Sequence, residues 1–188
     1  SDIYKRVGDR LFILNRFRGL MVANATNLDA PVLEGRMPLP AEPREMWLNN
    51  DTAIIITAQE DAYSGWGWWG DSTNVDVDTW ASYKGSALVL ANVSNPQHPQ
   101  LSSILKLGGD CFDGRLRGSM LYVACSAASW ADDGGASSHI FSVDVSNPQQ
   151  PIIVGSAGFD RGGADQHLMV GDNMMYLAST NAGSTSIL

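Results

Sequence analysis

One phrase is written three times along this chain of 188 residues, and no feature constrains its fold more. Thr26-Asn27-Leu28-Asp29-Ala30-Pro31 returns as Ser94-Asn95-Pro96-Gln97-His98-Pro99 and again as Ser146-Asn147-Pro148-Gln149-Gln150-Pro151. An apolar run precedes each copy: Gly19-Leu20-Met21-Val22-Ala23, Ala87-Leu88-Val89-Leu90-Ala91 and His139-Ile140-Phe141-Ser142-Val143. After each copy comes a turn at matched distance, 19 residues from Pro31 to Asn50, 19 from Pro99 to Gly118 and 20 from Pro151 to Gly171. A second apolar run opens behind each turn, as in Ala53-Ile54-Ile55-Ile56, and Gly8-Asp9-Arg10-Leu11-Phe12-Ile13-Leu14 is a fourth copy of that second half. A period in this range marks stacked or radial units.

Each unit divides into four short strands, in the first at about 19–25, 32–38, 44–49 and 52–58. β-branched and aliphatic residues fill the strands, while Pro, Asn, Gly and Asp gather between them. Proline fixes φ and donates to no ladder, so the Asn-Pro-x-x-Pro phrase turns the chain out of its strand. No long stretch has a 3.6-residue apolar period, which predicts almost no helix. The fold class expected is all-β, a β-propeller of four-stranded antiparallel blades. A flat β-sandwich is the alternative, but it gives no reason for one turn to recur at matched positions. The units expected are 19–58, 85–126 and 138–180, with a partial blade at 2–15 and the first strand of a further blade at 184–188. Three full units fall short of a closed ring of four to eight blades, so a piece of a longer propeller is expected; the alternative is a small four-bladed ring in which the N-terminal strands and the C-terminal strand share one blade. A start at Ser1-Asp2 without a methionine reads as a processed product or a piece.

Twelve basic and twenty acidic side chains leave a net charge of −8, which disfavours nucleic acid and anionic membrane as partners. Hydrophobic residues make up 44% and charged residues 17%, a globular rather than disordered composition. Apolar runs are strand-sized, so no transmembrane segment is expected.

Val7-Gly8-Asp9-Arg10-Leu11-Phe12-Ile13-Leu14, Asp29-Ala30-Pro31-Val32-Leu33-Glu34-Gly35 and Val143-Asp144-Val145-Ser146-Asn147-Pro148 resemble the secreted bacterial and archaeal β-propeller-domain family. They are also similar to LVIVD-type repeats of cell-surface proteins, which are distantly WD-like. The resemblance covers roughly residues 5–180. It implies an extracellular propeller (secreted, periplasmic or at the cell surface) and brings no catalytic residues. Ala25-Thr26-Asn27-Leu28 departs from the Val-Ser-Asn-Pro of the repeat.

Cys111 and Cys125 stand seven residues either side of Gly118. Equal offsets from a hairpin centre define cross-strand partners, close enough for a disulfide. Two buried free thiols are the alternative; a zinc site lacks the further ligands it needs.

Spacing between units varies, unlike spacing within them. The extra length forms insertions at 59–84 and 126–138, in equivalent places and therefore expected on one face. The larger holds Trp66, Trp68, Trp69 and Trp80, four of the six tryptophans. Aromatic faces beside acids suit a glycan or protein partner. Asn74, Asp76 and Asp78 alternate, placing three oxygen ligands on one side of an extended segment as a candidate calcium site. The competing interpretation is that these tryptophans form a loop-local core with solvated acids. Trp130-Ala131-Asp132-Asp133 lies in the smaller insertion.

His98, His139 and His167 come from three units and read as surface or satisfied histidines. Glu45, Asp113 and Gln166 each stand five residues before a turn, a recurrence that suits an anchor of the blade's turns better than substrate contact. No nucleophile elbow, zinc-protease, Walker or dinucleotide motif occurs. The expected function is a non-enzymatic binding or structural module acting through the insertions. The alternative is an enzyme, or enzyme subunit, whose active site other blades or another domain complete.

Overall fold

The computed structural model describes residues 3–59, 85–126, 138–159, 165–172, 174–181 and 184–187, and among them there is strand and turn but no helix. Among the described residues, fifteen strands form four antiparallel meanders. The first sheet holds β1 (Ile3–Val7), β2 (Arg10–Asn15), β3 (Gly19–Asn24) and β4 (Val32–Met37). In the second are β5 (Glu42–Asn49), β6 (Thr52–Gln59), β7 (Gly85–Asn92) and β8 (Gln100–Lys106). The third contains β9 (Asp110–Arg117), β10 (Met120–Ser126), β11 (Ser138–Asp144) and β12 (Ile152–Phe159). β13 (Asp165–Val170), β14 (Met175–Asn181) and β15 (Ser184–Ile187) make the three-stranded fourth.

The sheets stack face to face, and the sequence shows why. In β6, Ile55 points into a core shared with Phe12, Leu14, Leu20 and Val22 of the first sheet. Its neighbours Ile54 and Ile56 point the other way, onto Leu121, Val123 and Val143 of the third. A strand buried on both faces needs an unbroken apolar run, which Ala53-Ile54-Ile55-Ile56 supplies. Leu168 and Leu177 carry the third core, against Ala124 and Ile140. The first strands of successive sheets adjoin one another, β1 with β5, β5 with β9 and β9 with β13. They therefore line the inner side, while the fourth strands form the rim.

The repeat is real, but its phase differs from the expectation. Unit 19–58 is not one sheet: β3 and β4 belong to the first sheet, β5 and β6 to the second. The same displacement applies to 85–126 and 138–180. Residues 3–15 are the inner half of a complete first sheet, and 184–187 is the third strand of the fourth. The break falls at Pro38-Leu39-Pro40, where two residues without N–H end the pairing after β4. Periodicity alone cannot reveal where a four-strand repeat is cut.

Three hairpins between first and second strands share one geometry. Gly8, Asn50 and Gly118 open them with φ of 58°, 50° and 59°. Glycine reaches that region freely and asparagine tolerates it. The recurring phrase folds as a double turn held by side chains. Thr26, Ser94 and Ser146 donate their N–H to the side chains of Asn24, Asn92 and Asp144 at 2.8–2.9 Å. Asp29, Gln97 and Gln149 do the same to Asn27, Asn95 and Asn147 at 3.1 Å. Backbone bonds from Ala25, Val93 and Val145 to the carbonyls of Asp9, Asp51 and Ser119 tie each double turn to its hairpin. The Asp144 carboxyl is held below its usual range by the backbone and then the hydroxyl of Ser146.

Candidate functional site

All three double turns and all three hairpin tips lie at one end of the stack. The opposite end carries the connections between second and third strands, and these differ widely. In the first sheet that connection is only Arg16-Phe17-Arg18; Asn15 Oδ1 accepts the N–H of Phe17 and of Arg18, both at 3.0 Å. Phe17 stands 88% exposed, with the Arg16 guanidinium 5.9 Å from its ring centre. In the second and third sheets the same connection is residues 60–84 and 127–137. Both insertions therefore sit inside a sheet, joining strands that still pair along their length, β6 with β7 and β10 with β11. Gln59, Ser126 and Ser138, expected within insertions, are strand residues.

The bases of the two insertions are braced together. Ser86, buried where the first insertion re-enters the sheet, donates its N–H to the Gly109 carbonyl at 2.8 Å. The Ser86 carbonyl accepts the Leu107 N–H at 2.9 Å, and its hydroxyl oxygen accepts the Cys111 N–H at 2.7 Å. Cys111 is bonded to Cys125, on the strand that leads into the second insertion. One crossover, residues 107–111, thus holds both.

The disulfide forms as expected, though equal spacing does not account for it. The hairpin has a two-residue tip, Gly118-Ser119, so a regular ladder would set Cys111 opposite Ser126. A bulge passes over Phe112 and moves Cys125 into register with Cys111, Cα to Cα 3.9 Å. A bulge also passes over Arg44 in β5. Each bulged residue immediately precedes a recurring carboxylate, Glu45 or Asp113, and a bulge re-aims the side chains beside it.

Those carboxylates cross the seams between sheets. Gly114 donates its N–H to Glu45 Oε2 at 3.0 Å, and Leu168 donates to Asp113 Oδ2 at 2.7 Å. Asp113 Oδ1 is paired with Arg115, and His167 Nδ1 lies 3.9 Å from Oδ2. Glu45 and Asp113 therefore anchor the next sheet rather than the turns of their own. Gln166 lies on β13 opposite Ser179, where the register is regular. Trp47, two residues beyond Glu45, packs its ring on the Cα of Gly114. Asn49 donates to the Gly118 carbonyl at 3.4 Å and Arg117 to the Gly171 carbonyl at 2.6 Å, a second tie repeated at consecutive seams.

His98 is exposed in the second double turn, His139 stacks on Phe141 at 6.1 Å, and His167 is exposed beside Asp113. No interaction unites them. Trp66, Trp68, Trp69, Trp80, Asn74, Asp76 and Asp78 lie outside the described residues. Among the described residues, no group of three or more His, Cys, Asp or Glu is placed to hold a metal ion. Among the same residues, no helix is long and apolar enough to cross a membrane.

Radially ordered four-stranded sheets with a shared inner edge define a propeller-type protein. The sequence profile of the beta propeller domain matches residues 1–139, and the chain belongs to that family. No curated protein matches the chain.

Proposed function

We propose that this chain is an extracellular, non-enzymatic binding module whose contacts are made by the insertion-bearing end. The observation that carries the reading is the asymmetry of the two ends. One end repeats the same double turn three times, as a framework requires. At the other, equivalent connections range from two or three residues to long insertions, and one brace ties the bases of the two long ones. Variable loops on a rigid scaffold are where binding usually resides. Phe17 adds an exposed aromatic ring between two arginines at that end.

The partner is a glycan or a protein. Trp66, Trp68, Trp69 and Trp80 provide faces for stacking on a sugar or for anchoring in a protein pocket. Asn74, Asp76 and Asp78 supply oxygen ligands for calcium beside the tryptophans in the sequence. The disulfide fits an oxidising compartment.

A glycan array and a panel of extracellular proteins, probed with and without calcium, test this. The parent should bind a ligand that Trp68→Ala and Asp76→Ala bind at least tenfold more weakly at unchanged melting temperature. Unchanged binding together with lowered stability would mean that these residues form a loop-local core.

A further inference from the structure

We propose that β12, centred on Gly155, is a docking seat for a further double turn of the Ser-Asn-Pro-x-x-Pro kind, presented by a partner polypeptide. The other two rims show the occupant. A bulge passes over one residue of each rim strand, Glu34 in β4, Ser102 in β8 and Val154 in β12. The residue after the bulge is Gly35, Ser103 or Gly155, and it pairs with Val22, Leu90 or Ser142. These are one position occurring three times.

Two of the three positions are taken. A Cβ on Gly35 would stand 2.3 Å from the Pro96 carbonyl oxygen and 2.6 Å from that of Gln97, so the second double turn lies directly on the glycine. Ser103 donates its hydroxyl to the Pro148 carbonyl of the third double turn at 2.6 Å. In both, the carbonyl of the phrase's first proline meets the rim. At Gly155, among the described residues, a Cβ would meet only the Ser142 Cβ, at 4.0 Å. Seven of the eight residues of β12 are exposed, against two of the seven in β8, so the third position is open. Its chemistry suits the same occupant. β12 carries no charged side chain, whereas Glu34 and Arg36 stand in β4 and Lys106 in β8. Ile152, Ile153 and Val154 are 50%, 40% and 52% exposed in one run, and contiguous exposed apolar surface marks an interaction site. Two prolines supply apolar surface to cover it. The asparagine closes the turn on its own backbone, as Asn95 and Asn147 do, so the segment arrives pre-shaped and loses little freedom on docking.

The test is nitrogen-15 NMR of the intact chain, with a head-to-tail cyclised peptide of residues 143–152 as the probe. The Gly155 amide should shift saturably, together with those of Ile153 and Val154, with half-saturation at or below about 1 mM. Gly155→Val fills open space in the free chain, and should weaken binding by about tenfold or more at unchanged melting temperature. Gly155→Ser reproduces the Ser103 arrangement and should keep binding within about threefold of the parent. Asn147→Ala in the peptide should weaken binding by about threefold or more, because the turn is then no longer pre-shaped. Absence of a saturable shift, equal binding by Gly155→Val, or equal binding of a cyclic peptide with the same residues in scrambled order overturns the proposal. A Gly155 shift that follows the concentration of the chain alone would give the position to a second copy, and overturns it too. If Gly155→Val does not fold, the Asn147→Ala and scrambled peptides decide.

Discussion

Gly35 lies against the Pro96 carbonyl so closely that a Cβ would stand 2.3 Å from its oxygen. Gly35 is on the rim strand of the first sheet, and Pro96 is in the double turn of the second. One seam further on, Ser103 occupies the matching place and donates its hydroxyl to the Pro148 carbonyl at 2.6 Å. The second and third double turns are thus latches on the sheets that precede them. Gly35→Ala should cost about 1–3 kcal/mol, because backbone rather than a flexible side chain must give way. Ser103→Ala should cost about 1 kcal/mol. Urea denaturation of both variants checks this, and a neutral Gly35→Ala would remove the latch from the account.

Asparagine, more than proline, sets the double turn. Leu28 replaces the first proline in the first copy, yet Asn27 accepts the same two bonds, from Asp29 at 3.1 Å and Ala30 at 3.3 Å. Asn147→Ala should therefore destabilise by about 1 kcal/mol, and by more than Pro148→Ala does. Thermal melts of the pair measure the order, and the reverse order would refute the assignment.

Cys111–Cys125 closes a short loop, with a sequence separation of 14. Removing such a crosslink costs about 3 kcal/mol by chain entropy, or a fall of roughly 6–12 °C for a domain of this size. The double Cys→Ser variant tests the magnitude. Thiol titration of the unreduced, denatured protein tests the bond itself: no reactive thiol is expected, and two per chain would contradict it.

Strand identity was legible in the sequence because alternation and punctuation are local. The expected strands of the first unit, 19–25, 32–38, 44–49 and 52–58, lie within a residue or two of β3 to β6. Sheet membership was not legible, since β6 and β7 pair across residues 60–84 while β4 and β5, four residues apart, do not pair. The recurrence of Glu45 and Asp113 was visible as spacing, but their partners are backbone amides, which no residue type announces. The bulges at Arg44 and Phe112 that aim them leave no mark in composition either.

Calcium bound by Asn74, Asp76 and Asp78 should change the surroundings of the neighbouring tryptophans. Tryptophan fluorescence should then change with half-saturation at about 0.1–1 mM, as extracellular sites of this kind do, and Asp76→Ala should abolish the change. A flat titration through that range would eliminate the ion.

The central claim is that the insertions carry recognition while the sheets stand without them. The first sheet shows that Arg16-Phe17-Arg18 suffices to join a second strand to a third. Replacing residues 60–84 with that tripeptide and measuring affinity and melting temperature on the same sample tests the claim most directly. The expected result is a melting temperature within about 5 °C of the parent, which corresponds to roughly 1–2 kcal/mol, and at least a tenfold loss of affinity for any ligand the parent binds. Retained affinity, or failure of the shortened chain to fold, would contradict it.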